Sequence, residues 1–90
     1  MKLDELRAQI DAMNRQLVEL IGKRTEVARQ IARIKKKEKL PILDTEREEG
    51  IKEEMRQLAR QNALSATVIA DMFDLLLGYT RLEMEIEVMK

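Results

Sequence analysis

Arg24 and Lys35 are the residues of this sequence that most invite a chemical reading. They stand eleven positions apart, about three helical turns, so their Cα atoms would lie ~16 Å apart near one helix face. Two long cationic side chains at that spacing can converge on a small anion between them. Arg7 is about 25 Å from Arg24 along the same helix and cannot join them within one chain. In an antiparallel pair of chains, Arg7 of the second copy can. Asp44, Arg47 and Glu48 follow a short loop that can return them to the neighbourhood of Lys35. Together these residues outline a pocket with several cations, one or two carboxylates and apolar walls. Guanidinium forks suit carboxylates, which points to a small dicarboxylate ligand. The sequence has no His and no Cys, so catalytic triads, histidine metal sites and thiolate metal sites are excluded. No metal and no cofactor is called for. The remaining chemistry is electrostatic stabilisation of developing charge, selection of a reactive substrate shape, or plain binding. A rearrangement without proton transfer fits that equipment.

Each of these residues has an ordinary explanation when taken singly. Arg24 can set register or oligomeric state, or pair with Glu19, Glu26 or a partner carboxylate. Lys35 can be a helix-end lysine and Arg7 a snorkelling surface residue. Asp44 can be a cap, with Arg47 and Glu48 a solvated first turn. The functional reading rests on the set.

The element that must position them is a long first helix. Leu3, Leu6, Ile10, Met13, Leu17, Leu20, Arg24, Val27, Ile31 and Ile34 alternate in spacings of three and four, the a/d pattern of a helix packed on other helices. Arg24 is the one polar member of that seam. Arg7, Asn14, Ile21, Ala28 and Lys35 form a row beside it. The helix starts near Leu3 or Asp4 and ends in the run Lys35-Lys36-Lys37, cations that suit a helix C-terminus. At about 33 residues it is ~50 Å long, whereas a compact 90-residue domain has a radius of gyration near 12 Å. One chain cannot cover such a helix, so an intertwined twofold homodimer is expected.

Pro41 ends the helix and holds Leu40 extended. Asp44 or Thr45 then caps a second helix, with Thr45 and Glu48 at capping-box spacing. That helix runs to about Gln61 with a narrow stripe of Ile51, Met55, Leu58 and Ala59. Gly50 inside it is expected to mark close packing. After the turn Asn62-Ala63-Leu64-Ser65, Ser65 caps a third helix reaching Met89. Its heptad of Val68, Met72, Leu75, Tyr79, Leu82, Ile86 and Met89 is flanked by Ile69, Phe73, Leu76, Leu77, Thr80 and Met84. Gly78 is expected to permit a close helix crossing.

Composition agrees with an all-α single domain over residues 1–90. Apolar residues make up 44% and charged residues 38%, with three Gly, one Pro and no Trp. Basic and acidic residues balance at 17 each, which weighs against a nucleic-acid partner. No apolar run reaches membrane-spanning length and none resembles a signal peptide, so no membrane partner and a cytoplasmic location are expected.

These residues resemble the all-α chorismate mutases over essentially the whole chain. The matching segments are Leu6-Arg7-Ala8-Gln9-Ile10-Asp11, Arg24 through Lys35, and Pro41-Ile42-Leu43-Asp44-Thr45-Glu46-Arg47-Glu48. The last, Pro-x-x-Asp-x-x-Arg-Glu, is the most specific. The resemblance implies a three-helix protomer intertwined as a dimer, each active site lined by both chains. It implies an intramolecular Claisen rearrangement of chorismate to prephenate, in the shikimate pathway of aromatic amino acid biosynthesis. It also implies that Arg24 and the second chain's Arg7 bind the substrate carboxylates. Lys35 would donate to the ether oxygen and Glu48 would accept from the ring hydroxyl. Asp44 and Arg47 would shape the mouth, Ile31 and Leu77 would be apolar walls, and Thr80 would replace the family's Ser or Asn.

Met84 departs from the pattern. The family has Gln or Glu there as a second donor to the ether oxygen, and a thioether donates nothing. Losing such a donor costs ~2.7–4 kcal/mol of transition-state stabilisation. Glu83 is adjacent but points about 100° away. A slow chorismate mutase is therefore expected. An isochorismate-pyruvate lyase and a non-catalytic helical dimer binding a small dicarboxylate are the alternatives, and product analysis separates them.

Overall fold

The computed structural model describes residues 2–90. Three helices account for nearly all of them: α1, Lys2–Glu38; α2, Thr45–Gln61; and α3, Ala66–Val88. The protein is all-α, and its boundaries agree closely with the seam, the proline and the caps read from sequence. Asp44 is the N-cap of α2, accepting the Arg47 backbone N–H at 3.0 Å. Thr45 is already inside the helix, so the Thr45–Glu48 capping box does not form, and the Glu48 side chain is left for other work. Ser65 caps α3 by accepting from Val68.

Both inter-helix connections begin with a left-handed residue that is not glycine. Lys39 has φ 59° and Ala63 φ 57°. In each case the next residue bonds back into the helix: Leu40 N–H to the Lys35 carbonyl, and Leu64 N–H to the Ala59 carbonyl, both at 2.8 Å. This closure satisfies carbonyls that would otherwise end the helix unpaired. At the end of α1 it turns the chain sharply, so residues 40–44 fold back beside Lys35.

Polar ties fix the helix directions. Arg24 meets Thr80, Arg29 meets Glu83 and Arg33 meets Glu87, so the second half of α1 runs parallel to α3. Lys52 meets Asp74 and Glu48 meets Arg81, so α2 runs antiparallel to α3. The backbone of α3 packs on both neighbours, whereas those of α1 and α2 stay apart among the described residues. A gap lined by all three helices results.

The α1 face buried within the chain differs from the expected seam. Thr25, Ala28 and Ala32 are buried, and these small residues let α3 approach closely. Ala28, Ala32 and Met84 form the core, with Ile42 and Val88 packed against it. Seam residues Val27, Ile31 and Ile34 stay about half exposed. From Lys2 to Lys23, every residue of α1 except Ala12 is exposed. Leu6, Ile10, Leu17 and Leu20 are between 47% and 63% exposed, an apolar stripe that nothing in this chain covers. The radius of gyration, 16.2 Å, exceeds the ~12 Å of a compact chain of this length because of that overhang.

The glycine expectations fail. A Cβ at Gly50 would meet nothing within 4 Å, and one at Gly78 would meet only an Arg81 nitrogen at an ordinary 3.7 Å. Neither marks a close helix crossing within this chain. No helix among the described residues is long and apolar enough to cross a membrane.

Candidate active site

A half-open cavity of about 440 Å³ occupies the gap between the helices. From α1 it is lined by Arg24, Val27, Ala28, Ile31 and Lys35. The loop and α2 add Ile42, Asp44, Arg47, Glu48 and Ile51, and α3 adds Leu77, Thr80, Arg81 and Met84. Every site residue expected from the sequence lies here except Arg7, which is exposed on the overhang of α1. In a chain of this shape the cavity and Arg7 belong to different ends of one helix.

Among the charged groups of the cavity, all but the Arg47 side chain have a recorded protein partner. Arg24 donates from Nη1 to Thr80 Oγ1 at 2.6 Å, and the Thr80 hydroxyl donates to the Leu76 carbonyl at 2.7 Å. Neither Glu19 nor Glu26 pairs with Arg24; a buried hydroxyl meets it instead, and the remaining guanidinium N–H groups keep their capacity for a ligand. Lys35 donates from Nζ to the Ile42 carbonyl at 3.1 Å, so the folded-back loop aims the ammonium across the cavity. Asp44 spends Oδ1 on its cap, which places it at the cavity edge as a structural carboxylate. Glu48 is paired with Arg81.

Arg81 was not anticipated from the sequence. It is the one cation in the α3 sequence, three residues before Met84 and adjacent to Thr80, which was the available signal. Its pairing with Glu48 depends on how α2 and α3 are registered, and helical periodicity does not give that. Val27, Ala28, Ile42 and Ile51 also line the cavity without having been singled out as site residues.

Met84 is buried, and its thioether forms cavity wall where a donor was expected. Glu83 does not substitute for it. It turns to the outer side of α3, where it accepts from the Tyr79 hydroxyl at 2.8 Å and from Arg29 at 3.2 Å. Those two bonds hold its carboxyl below the ordinary carboxylate range, the tyrosine contributing most. Glu87 is lowered likewise, first by Arg33 and then by Lys90. These acids tie α1 to α3 and stand outside the cavity.

Among the described residues no cluster of side chains could hold a metal ion. The cavity offers four cations, two carboxylates and apolar walls, a constellation suited to a small, multiply anionic organic molecule. Residues 6–85 match the family model described as chorismate mutase type II. The chain belongs to that family. It is 30% identical over 80 residues to a chorismate mutase of Methanocaldococcus jannaschii, covering 89% of this chain and 81% of that protein. It is 36% identical over 69 residues to the T-protein of Haemophilus influenzae, covering 77% of this chain and 18% of that protein. A bifunctional chorismate mutase/prephenate dehydratase of Aquifex aeolicus is 37% identical over 60 residues, 67% of this chain and 17% of that protein. The chain thus corresponds to most of a stand-alone mutase and to less than a fifth of the two longer relatives.

Proposed function

We infer that this protein is a chorismate mutase, converting chorismate to prephenate by an intramolecular Claisen rearrangement. The observation that carries the inference is the convergence of Arg24, Lys35 and Glu48 on one cavity in a chain of this family. The reaction needs no acid, base or cofactor from the protein. It needs the substrate folded into its reactive shape and the charge on the ether oxygen met as the C–O bond stretches.

Arg24 binds a substrate carboxylate from the floor formed with Thr80. Lys35 donates to the ether oxygen. Glu48 accepts from the ring hydroxyl, and Arg47 with Asp44 borders the mouth. Ile31 and Leu77 supply apolar walls that hold the ring. Met84 adds wall but no hydrogen bond, so the developing charge is met chiefly by Lys35 and the reaction is slow for the family.

The working unit is an intertwined homodimer. The exposed stripe from Leu6 to Leu20 supports this, because a second copy laid antiparallel along α1 buries it. The same arrangement carries Arg7 of the second copy to the cavity, where it binds the other carboxylate.

Incubating purified protein with chorismate and assaying prephenate tests the reading directly. Prephenate formation above the spontaneous rate is expected. Clear binding without turnover would favour the non-catalytic reading that buried Met84 supports, and pyruvate release from isochorismate would favour the lyase.

A further inference from the structure

Arg81 stands on the cavity wall with a single recorded partner, Glu48. The contact is made by one guanidinium nitrogen, Nη1, to one carboxylate oxygen, Oε1. The second oxygen of Glu48 has no protein partner among the described residues and belongs to a side chain that lines the cavity. Glu48 is mostly buried, at 19% side-chain exposure. A carboxylate in that position would swing between rotamers, or turn away toward solvent, unless something fixed it. Asp44 is engaged by the α2 cap, and among the described residues no other side chain hydrogen-bonds or pairs with Glu48.

We propose that Arg81 is a positioning residue for substrate binding, holding Glu48 by one oxygen so that the other is presented to the substrate's hydroxyl. The proposal rests on the mutase reading. It explains a cation on the cavity side of α3, between Leu77 and Met84, whose side chain is only 35% exposed. Its partner lies on another helix, so the bond also fixes the width of the cavity between α2 and α3. Because a hydroxyl contact is made in the ground state and the transition state alike, its loss raises KM more than it lowers kcat.

The test compares four proteins: wild type, Arg81→Met, Glu48→Gln, and the double variant. Helicity and thermal midpoint are measured for each, and then KM and kcat with chorismate. Arg81→Met is expected to raise KM about tenfold, the scale set by misplacing one substrate contact, with kcat within about threefold. In the Glu48→Gln background the same change should cost less than about twofold, because the group it positions is already altered. Arg81→Lys, which keeps one charged donor, should recover most of the loss.

A fall in kcat at constant KM, tracking the folded fraction, overturns the proposal in favour of a purely structural ion pair. Additive effects in the double variant also overturn it, since Arg81 would then touch the substrate itself. Should Arg81→Met fail to fold, Arg81→Gln is read in the same two backgrounds. Absence of prephenate from the wild type overturns the mutase reading, and chorismate affinity by calorimetry then replaces KM for the same four proteins. Loss of both turnover and binding in the wild type overturns both.

Discussion

Arg24 Nη1 lies 2.6 Å from Thr80 Oγ1, and this bond joins the middle of α1 to α3 at the floor of the cavity. Thr80 is a relay. Its oxygen accepts from the guanidinium while its proton goes to the Leu76 carbonyl, so the hydroxyl is committed as an acceptor toward Arg24. The guanidinium is thereby tied to α3 before any substrate arrives. Preorganisation of this kind lowers the ordering cost of binding.

Thr80→Val keeps the shape of the side chain and removes the acceptor. The expected result is a rise in KM for chorismate of roughly tenfold, since Arg24 loses a bond worth about 1.5 kcal/mol or more in positioning. Thr80→Ser should behave as wild type. The Leu76 carbonyl keeps its place in the helix ladder, so thermal stability should change little. An unchanged KM in Thr80→Val would show that Arg24 needs no support from α3.

The proposed shared-site dimer makes a prediction of its own. Arg7→Ala and Arg24→Ala homodimers should each be nearly inactive. When the two are mixed and allowed to exchange chains, a hybrid dimer holds one site with both substitutions and one with neither. About a quarter of wild-type activity should return at equal mixing, since half the dimers are hybrids with one good site each. If no activity returns although chains exchange, Arg7 and Arg24 serve the same site from the same chain; an Arg7→Ala homodimer that stays active shows that Arg7 serves none.

Much of this architecture is legible in the sequence because it is local. The uninterrupted seam gives α1 its length, Pro41 its stop, and Asp44 and Ser65 their caps. Arg24 and Lys35 follow from spacing along one helix, and Asp44, Arg47 and Glu48 from the short loop after it, whereas Ile31, Leu77, Thr80 and Met84 come with the family resemblance. What escapes is set by how helices meet. Arg24's partner is a hydroxyl from α3, which no pattern in α1 could specify. The face of α1 buried within the chain is the small-residue row Thr25, Ala28 and Ala32, whereas the larger seam residues remain open to a second copy. Arg81 is overlooked because a lone cation on a helix gains meaning only from the opposite helix. Gly50 and Gly78 mislead for the converse reason: a helical glycine suggests a close helix neighbour, and among the described residues of this chain Gly50 has no neighbour within 4 Å and Gly78 has only an Arg81 nitrogen.

Acid should loosen the protein by a route that can be followed. Glu83 and Glu87 are both held below the ordinary carboxylate range by partners on α1 and α3. A carboxyl depressed in the folded state contributes stability that is fully present above its unfolded value of about 4 and is lost as pH falls through its folded value. The thermal midpoint should therefore be flat through neutrality and fall in acid, below about pH 4. Glu83→Gln should lower the midpoint at pH 7, and its deficit against wild type should shrink as pH falls through the folded value of Glu83, below the ordinary carboxylate range. A deficit that persists unchanged into acid would mean that the Tyr79 and Arg29 bonds to Glu83 add nothing charge-dependent.

Met84 provides the sharpest test of the mechanism. As the C–O bond of the substrate stretches, negative charge builds on the ether oxygen, and in the proposed mechanism Lys35 meets it. On the α3 wall, the position of the expected second donor holds a thioether, buried against Ala28 and Ala32. Gln has nearly the length of Met, so Met84→Gln should fit with little repacking, apart from the cost of burying an amide that must find partners. Part of that cost is met when substrate binds. Because the new hydrogen bond strengthens as charge develops, the gain should appear in kcat rather than KM. A rise of roughly tenfold or more is expected, short of the hundredfold or more of a fully shaped donor. Stability should fall modestly, since Met84 belongs to the small core that joins α1 to α3. Met84→Leu keeps the wall apolar and should leave kcat about unchanged. If Gln and Leu behave alike in steady-state kinetics with chorismate, the ether oxygen does not face α3, and the transition-state charge is met from α1 alone.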